Sequence, residues 1–421
     1  MNDTAPGNRR RILVLSPWKR QRSLGKGAGV ADDYRFCKRL TENGFELHFL
    51  SPRSRVAPEF SFENHVSHTF PNFFDATRTW PTFLRRILWP LLFNVIVIPR
   101  ALSIARRIRP HFVLGHSHYG SLASYLVREF FQVPSAVKLF GVMDLVHTEW
   151  PRRRYLLKNL EQIMALKIPQ DAWIILDDGT RGDEAAIRHG VARERIHFLP
   201  NGINVEWANG SYDGEKVRQE FGIPAEAQVV LFLGRLVDWK RPETILRAAP
   251  SILHRARGRV IFLIVGDGPE RKRCELLAGE LGVAGDVVFA GAQLHERVPE
   301  IMAATDVLVA TGGVSNMAIP TCEALVCGVA VAAFDTGNTG SVIKDGKTGR
   351  LVPDGDVDAL AEAVADLLNN DETRRAISRR AREFACNNFT GWDERVDMEI
   401  ELILSLIERR GTHRLGAKPV P

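Results

Sequence analysis

Residues 229–243 read VVLFLGRLVDWKRPE, an uncharged apolar run that ends at Gly234 and leads into a helical segment beginning at Pro242. A short apolar run, a glycine and then a helix are typical of one strand-to-helix unit of a parallel sheet. The glycine permits a tight turn, and Arg235 and Lys240 place two cations on the same loop. Because parallel sheets bind ligands at the carboxyl ends of their strands, this loop is suited to a diphosphate.

The same alternation of apolar strand and helical segment continues in both directions along the chain, which is typical of βαβ units. Helical segments such as 28–43 and 121–131 lie between the strands, and three amphipathic helices follow Asp356, the last with Val396, Ile400, Leu404 and Ile407 at helical spacing. The predicted strands are Ile12–Leu15, Phe45–Leu50, Phe112–Gly115, Ala136–Leu139, Trp173–Leu176, Val229–Leu233, Val260–Val265, Val287–Phe289, Val307–Ala310, Val329–Phe334 and Arg350–Val352.

These patterns predict an α/β chain with two doubly wound, Rossmann-like parallel sheets. The length of 421 residues is enough for two domains with separate cores. The Asn- and Gly-rich segment 201–214 is the predicted linker. We therefore predict a first domain over 1–200 and a second over 201–388, with a C-terminal helix over 390–410 that crosses back to the first.

Charge is distributed unequally between the two halves. The net charge is +6, but residues 1–200 contain 30 basic against 18 acidic side chains, a surplus of 12 positive charges, and the remainder is acidic. No helix-turn-helix, zinc-finger or RNP pattern accompanies the basic half, so we expect no nucleic-acid partner. Five cysteines without ligand or disulfide spacing favour a reducing compartment. The short apolar run 12–15 predicts a strand and not an export signal.

The segment 87–99 is apolar and uncharged, and arginines flank it on both sides. Thirteen residues are too few to cross a bilayer core, which needs about 20. Two interpretations stay open: a buried helix pair inside the first domain, or an interfacial face that meets anionic headgroups with its arginines.

Further motifs follow the loop of Arg235 and Lys240 at the ends of later strands. They read IVGDGPE at 264–270, FAG at 289–291 and NMAIPTCEAL at 316–325, with PNGI at 200–203 before them and DGKTGRLV at 345–352 after them. In order and interval this set resembles the nucleotide-binding domain of the retaining glycosyltransferase family 4 (group 1) enzymes. The resemblance covers most of residues 199–370 and implies the GT-B fold, in which two such domains face each other across a cleft.

The resemblance implies roles for particular residues. Arg235 and Lys240 match the pair that binds the donor diphosphate and assists catalysis, and Glu323 matches the carboxylate that accepts hydrogen bonds from the ribose. Amides at the helix start near Ala318 would receive a phosphate. The donor-binding set is completed by Gly234, Gly266, Gly291, Ser315, Asn316, Met317, Ala318, Ile319 and Thr321.

Two positions depart from the family pattern. The family usually carries a second glutamate eight residues before Glu323, where this chain has Ser315, and glycine where it has Asn316. Serine cannot offer a carboxylate to a sugar, whereas Asn316 offers an amide. Phe140 stands where a histidine is common in the family.

The first domain gives fewer indications. The basic, glycine-rich loop with Gly27 and Gly29 matches the family loop that faces donor phosphates and acceptor, although solvated surface lysines explain its charge equally well. His118, at a strand end in HSHYG (116–120), is the predicted polar residue on the acceptor side, with a structural histidine as the alternative. Asp144 is the remaining candidate for an acceptor contact.

Metal and cofactor sites are not predicted. The segment 340–348 resembles a P-loop, but its glycines are one residue too far apart and it does not follow the first strand of its domain. The Asp pairs at 32–33 and 177–178 lack a converging ligand set. Because Arg235 and Lys240 supply positive charge, we expect transfer from a nucleotide sugar without a metal.

The resemblance thus implies a retaining hexosyltransferase-type glycosyltransferase. The basic first half and the segment 78–109 favour a glycan or lipid-linked acceptor of a cell-envelope polysaccharide, with a cytoplasmic protein that is either free or peripheral on the inner membrane face. The alternatives are a catalytically silent GT-B protein that binds a nucleotide or glycan, and another GT-B activity such as an epimerase or a phosphorylase.

Overall fold

The fold is that of a computed structural model, which describes residues 9–17, 31–53, 63–71, 82–142, 152–315 and 317–416. In this part of the chain thirteen strands form two sheets, and every strand pair is parallel. The first sheet has the order β3-β2-β1-β4-β5-β6-β7. Its strands are β1 Arg11–Leu15, β2 Glu46–Pro52, β3 His65–Phe70, β4 Phe112–His116, β5 Ser135–Leu139, β6 Ala172–Asp177 and β7 Ile196–Pro200.

The second sheet has the order β10-β9-β8-β11-β12-β13. Its strands are β8 Gln228–Leu233, β9 Val260–Val265, β10 Val287–Gly291, β11 Val307–Ala310, β12 Ala330–Phe334 and β13 Arg350–Val352. In both sheets the strand order reverses beside the first strand of the domain, and this reversal creates the crevice in which such folds bind ligands. The loop after β8 lies at that crevice in the second domain.

Helices cover both faces of each sheet, and buried apolar residues form separate clusters on either side. In the first domain the helices are α1 Ala31–Glu42, α2 Thr82–Ile108, α3 Ser121–Phe131, α4 Arg152–Leu166 and α5 Gly182–Arg188. The second domain has α6 Gly214–Glu220, α7 Glu243–Arg255, α8 Arg271–Glu280, α9 Val298–Ala303, α10 Ile319–Cys327, α11 Val357–Asn369 and α12 Asp371–Asn388, and the last helix is α13 Trp392–Gly416.

The predicted fold class is confirmed, and the differences have physical reasons. All eleven predicted strands are present, with bounds that differ by at most two residues. The two additional strands, β3 and β7, are the edges of the first sheet. Edge strands are partly exposed and alternate polar with apolar residues, as in HVSHTF at 65–70, so they lack a continuous apolar run.

The apolar segment forms part of a single helix, α2, and not the helix pair of the first interpretation, while the interfacial face stays a prediction. Helix α2 has 27 residues and contains Pro90 and Pro99, so the segment 87–99 lies within a longer element. Within the described residues, its part Leu88–Ile108 is long and apolar enough to cross a membrane, judged by length and composition only. Trp89, Phe93 and Val97 are buried in the core, whereas Leu91 is 60% and Val95 71% exposed.

Two neighbouring segments connect the domains. Ile203 and Gly391 form a parallel β-bridge, and the amide of Ile203 donates a 3.0 Å hydrogen bond to Thr390. Helix α13 then packs on the first domain through Val396, Ile400, Ile403 and Leu406, which are buried against strands of that sheet. The predicted Leu404 and Ile407 are only partly buried there.

Candidate active site

Three glycines meet at the carboxyl ends of β8, β9 and β10. The amide of Gly234 donates to the carbonyl of Val265 at 3.0 Å, and that of Gly266 donates to Gly291 at 2.9 Å. Gly266 has φ +138°, and a β-carbon added there would lie 1.8 Å from the Gly234 carbonyl oxygen. Glycine is therefore required at 266, because only the bare backbone fits this close approach.

The basic loop after β8 carries both predicted cations. Arg235 is exposed, with its guanidinium carbon 5.5 Å from the ring centroid of Trp239, a cation–π contact. Burial lowers the pKa of Lys240, the carboxylate of Asp178 raises it, and the charge of Arg235 lowers it. A partly buried ammonium beside a second cation is a strong binding point for a diphosphate, since anion binding relieves both desolvation and repulsion.

Helix α10 begins at the end of the loop that follows β11. Pro320 has no amide hydrogen, and the amide of Thr321 donates to Ala318 at 2.9 Å. Among the described hydrogen bonds, the helix-start amides of Ala318 and Ile319 have no backbone acceptor, and both residues are partly exposed. These two amides are therefore the ones available for a phosphate. Met317 and Thr321 are buried beside them.

Glu323 lies one turn into α10 and is almost fully buried. Its Oε1 accepts hydrogen bonds from Nδ2 of Asn204 at 2.7 Å and from Nε2 of His295 at 2.9 Å. Both bonds reach the same oxygen, and the second carboxylate oxygen, Oε2, takes part in neither. Burial raises the pKa of the neighbouring Cys322 thiol to about 12, and the carboxylate of Glu323 contributes to that rise.

A hydrogen-bonded chain links Glu323 to the first domain. Asn204 lies between the domains, and its Oδ1 accepts a 2.6 Å hydrogen bond from Arg35 on α1. The guanidinium of Arg35 lies 5.1 Å from the ring centroid of Trp392, the first residue of α13, which directly follows Gly391 of the interdomain β-bridge. The predicted ribose carboxylate is thus oriented by residues on both sides of the cleft.

Ser315 is buried against the first domain. Its Oγ accepts a hydrogen bond from the amide of Met317 at 3.1 Å. A β-carbon added at Gly179, on the turn after β6, would lie 2.2 Å from the same oxygen. The close approach of Gly179 therefore limits the space for a longer side chain in this orientation at 315.

His118 has partners inside the first domain. Its Nε2 lies 3.2 Å from Oε2 of Glu161, its Nδ1 lies 3.1 Å from Oγ of Ser117, and its ring packs on Tyr119 at 4.1 Å between centroids. Tyr119 donates a 2.9 Å hydrogen bond to the same carboxylate oxygen. These bonds place His118 in a polar cluster at the end of β4, which fits either an acceptor contact or a structural role.

Four predicted site residues, Gly27, Gly29, Asp144 and Asn316, lie outside the described residues. Among the residues that the structure does describe, no group of three or more His, Cys, Asp or Glu side chains is placed to hold a metal ion. The expectation of metal-free transfer stays a prediction. Phe140 packs edge-on against His116, with ring centroids 5.9 Å apart.

Comparison with known proteins identifies the second domain. Residues 213–384 match the family model for glycosyl transferases group 1. The second domain thus has the sequence pattern of the group 1 glycosyltransferases. It is 26% identical over 290 residues to a D-inositol 3-phosphate glycosyltransferase of Nocardia farcinica, over 66% of this chain and 63% of that protein. The match therefore spans less than two thirds of this relative.

A second relative is the GDP-mannose-dependent alpha-(1-6)-phosphatidylinositol monomannoside mannosyltransferase of Mycolicibacterium smegmatis. It is 32% identical to this chain, over 54% of this chain and 59% of that protein. Among solved structures, sucrose-phosphate synthase of Thermosynechococcus elongatus has a TM-score of 0.73 at 19% identity, covering 95% of this chain and all of that one. Anabaena HepE in complex with UDP and glucose has a TM-score of 0.69 at 17% identity, covering 94% and 99%. These similarities confirm the GT-B fold.

Proposed function

We propose that the protein transfers a hexosyl unit from a nucleoside diphosphate sugar, with retention, to an anionic acceptor held by the first domain. The observation that carries this proposal is the convergence of the two cations, Arg235 and Lys240, with the buried carboxylate of Glu323 and the start of α10 around one crevice. Cations bind a diphosphate, and a carboxylate binds vicinal ribose hydroxyls. The charges of the crevice are thus complementary to those of a nucleoside diphosphate.

In the proposed reaction, the bond between the sugar C1 and the diphosphate oxygen breaks while the acceptor oxygen bonds to C1 on the same face. The acceptor proton passes to the departing diphosphate, so no protein nucleophile takes part. Negative charge grows on the diphosphate as it leaves, and Arg235 and Lys240 stabilise that charge in the cleft. These cations supply the positive charge that a metal would otherwise bring, so we propose transfer without a metal.

A donor screen tests the activity. The purified protein is incubated with uridine, guanosine, adenosine and thymidine diphosphate sugars, with acceptor extracts, and with or without EDTA. We expect one donor to release its nucleoside diphosphate only when acceptor is present, to the same extent in EDTA, and to give a product of unchanged anomeric configuration by NMR. Nucleotide binding without any transfer would instead support the catalytically silent alternative, and an inverted product would exclude retention.

For the acceptor, we propose a phosphate-bearing glycan or lipid. The two relatives are named for glycosyl transfer that involves D-inositol 3-phosphate and a phosphatidylinositol mannoside. The first half of this chain carries the positive surplus, and α2 has no acidic side chain. Leu91 and Val95 are exposed on this helix, and Arg100 and Arg107, further along the same helix, line a surface pocket. This combination of apolar and cationic surface supports docking on the inner face of an anionic membrane.

A vesicle experiment tests this docking. We expect the protein to sediment with phosphatidylcholine vesicles that contain phosphatidylglycerol, and less so in high salt, because exposed charges are screened. Val95→Asp should release it, since the substitution places a carboxylate on the apolar face. Leu276→Asp, at a helix position of the second domain that is 61% exposed, is the matched control and should sediment like the wild type. Equal sedimentation of both variants would refute the docking face.

A further inference from the structure

The two segments that connect the domains, 200–204 and 390–392, lie against each other close to the donor carboxylate. The first segment leaves the first domain after β7, and the second returns to it where α13 begins. A β-carbon added at Gly202 would lie 2.4 Å from Cε3 of Trp392, so the indole ring packs directly on the outgoing segment. Because both connections pass here, a rotation of one domain relative to the other acts on this double crossing.

Asn204, the last residue of the outgoing segment, uses both ends of its side-chain amide and is fully buried. Its Nδ2 donates to Oε1 of Glu323 at 2.7 Å, and its Oδ1 accepts a 2.6 Å hydrogen bond from Nη2 of Arg35. The amide therefore lies between a carboxylate of the second domain and a cation of the first. Each of these charges polarises the amide and strengthens the hydrogen bond on its other side.

Arg35, on helix α1 of the first domain, contacts both crossing segments. Besides its hydrogen bond to Asn204, its guanidinium lies 5.1 Å from the ring centroid of Trp392, a cation–π contact. Arg39, one turn later on the same helix, is instead paired with Asp397 of α13, at 2.8 and 2.7 Å. Through Arg35, the position of α1 is thus transmitted to the double crossing.

The other described hydrogen bond to Glu323 comes from within the second domain. Nε2 of His295 donates to the same Oε1 at 2.9 Å, and the imidazole ring packs on Trp207, with ring centroids 5.1 Å apart. His295 therefore holds the carboxylate wherever the first domain lies. Of the two described hydrogen bonds to Glu323, the one from Asn204 is the one that depends on the position of the first domain.

We propose that Asn204 and Arg35 are positioning residues of the donor site, which fix the Glu323 carboxylate for ribose recognition when the first domain is seated on the double crossing. This inference rests on the proposed function, in which Glu323 binds the ribose hydroxyls of the donor. It adds that ribose recognition is coupled to the relative position of the two domains. Because such coupling is reciprocal, a bound ribonucleotide also stabilises the seated arrangement.

The experiment measures the affinity of the full-length protein for UDP and GDP, and for their dideoxy analogues without ribose hydroxyls, by calorimetry. Asn204→Ala leaves the Glu323 carboxylate without one of its two donors, so the contribution of the ribose hydroxyls should fall. We expect this variant to bind the ribonucleotide roughly tenfold more weakly and the dideoxy analogue as tightly as the wild type does. General damage to the site would weaken both by the same factor, and that result would overturn the proposal.

Arg35→Ala tests the same route from the first domain, and it serves if Asn204→Ala does not fold, because Arg35 is only partly buried. We expect a loss of roughly threefold for the ribonucleotide and none for its dideoxy analogue. In the Asn204→Ala background, Arg35→Ala should cause no further loss, since its route to Glu323 is already broken. Additive losses would show that Arg35 acts by another route and would contradict the coupling.

Each variant has a matched control close to it in the chain. Asn201→Ala changes the same outgoing segment, but Nδ2 of Asn201 donates to the carbonyl of Asp177 at 2.8 Å and not to the donor site. Arg39→Ala removes a hydrogen-bonded arginine from the same helix as Arg35. Both controls should keep the wild-type ratio between the affinities for the ribonucleotide and its dideoxy analogue. A control that lowers this ratio as much as its matched variant would rule out the specific route.

A measurement without nucleotide separates this inference from the proposed function. The side-chain amide signal of Asn204 in NMR, assigned by its absence in Asn204→Ala, should shift and exchange faster with solvent in Arg35→Ala but not in Arg39→Ala. Such a change in a protein that binds neither nucleotide would refute only the proposed function. A ribose preference that survives both Asn204→Ala and Arg35→Ala, or an Asn204 signal that Arg35→Ala leaves unchanged, would refute only the coupling.

Discussion

Replacing Arg235 and Lys240 together by alanine is expected to lower the rate of donor turnover by roughly a thousandfold or more. The diphosphate becomes more negative as it leaves the sugar, and a cation fixed beside it stabilises the transition state more than the ground state. Lys240 is held in the loop by the hydrogen bond from Thr311 to its carbonyl, and Arg235 by its contact with Trp239.

The measurement is the steady-state release of nucleoside diphosphate from the donor identified in the screen. Because the charge is largest in the transition state, kcat should fall more than the donor affinity does. The control is Arg257→Ala with Arg259→Ala, which removes the same charge from exposed positions before β9, at the opposite end of the strands. A double variant within tenfold of the wild type would show that these cations do not carry the transfer.

Most of the fold and the donor side of the site could be predicted from local patterns. Central strands of parallel sheets are buried on both faces, so they appear in the sequence as continuous apolar runs, and the glycine and cations at their ends are only a few residues away. The loop of Gly234, Arg235 and Lys240 is the clearest example. These three residues lie within seven consecutive positions, so the local sequence is enough to predict them together.

The partners of Glu323 could not be predicted in this way. Asn204 lies 119 residues before Glu323, and Arg35 lies 169 residues before Asn204. Asn204 follows the PNGI motif directly, but only the folded chain shows that its amide donates to a carboxylate of the second domain. The close approach of Gly179 to Ser315 also appears only in the folded chain, although the sequence marks Ser315 as a departure from the family pattern.

Glu399→Gln is expected to destabilise the first domain by about 3–5 kcal/mol, because it removes the carboxylate that two buried cations share. Oε2 of Glu399, on α13, accepts hydrogen bonds from Nζ of Lys138 at 3.0 Å and from Nη1 of Arg395 at 2.6 Å. All three side chains are fully buried. Lys138 lies on β5, so this ionic cluster attaches the C-terminal helix to the sheet of the first domain.

Urea unfolding of the full chain, followed by the tryptophan signal and by hydrogen exchange of the first-domain strands, measures this loss. Asp397→Asn is the control on the same helix. It removes the partly exposed ion pair with Arg39, and such pairs contribute about 0–1 kcal/mol. Equal losses for the two variants would mean that the helix is held by its apolar face alone.

Replacing all three residues of the ionic cluster shows whether the lost stability comes from unbalanced buried charge or from lost packing. The triple variant Lys138→Met, Arg395→Met and Glu399→Leu removes both cations together with the anion, so it should recover most of the stability that Glu399→Gln loses. If the single variant is destabilised and the triple variant is not, the penalty comes from uncompensated buried charge. In the triple variant, helix α13 should stay packed on the first domain, next to the interdomain bridge of Ile203 and Gly391. The triple variant should accordingly retain transfer activity when the single variant has lost it.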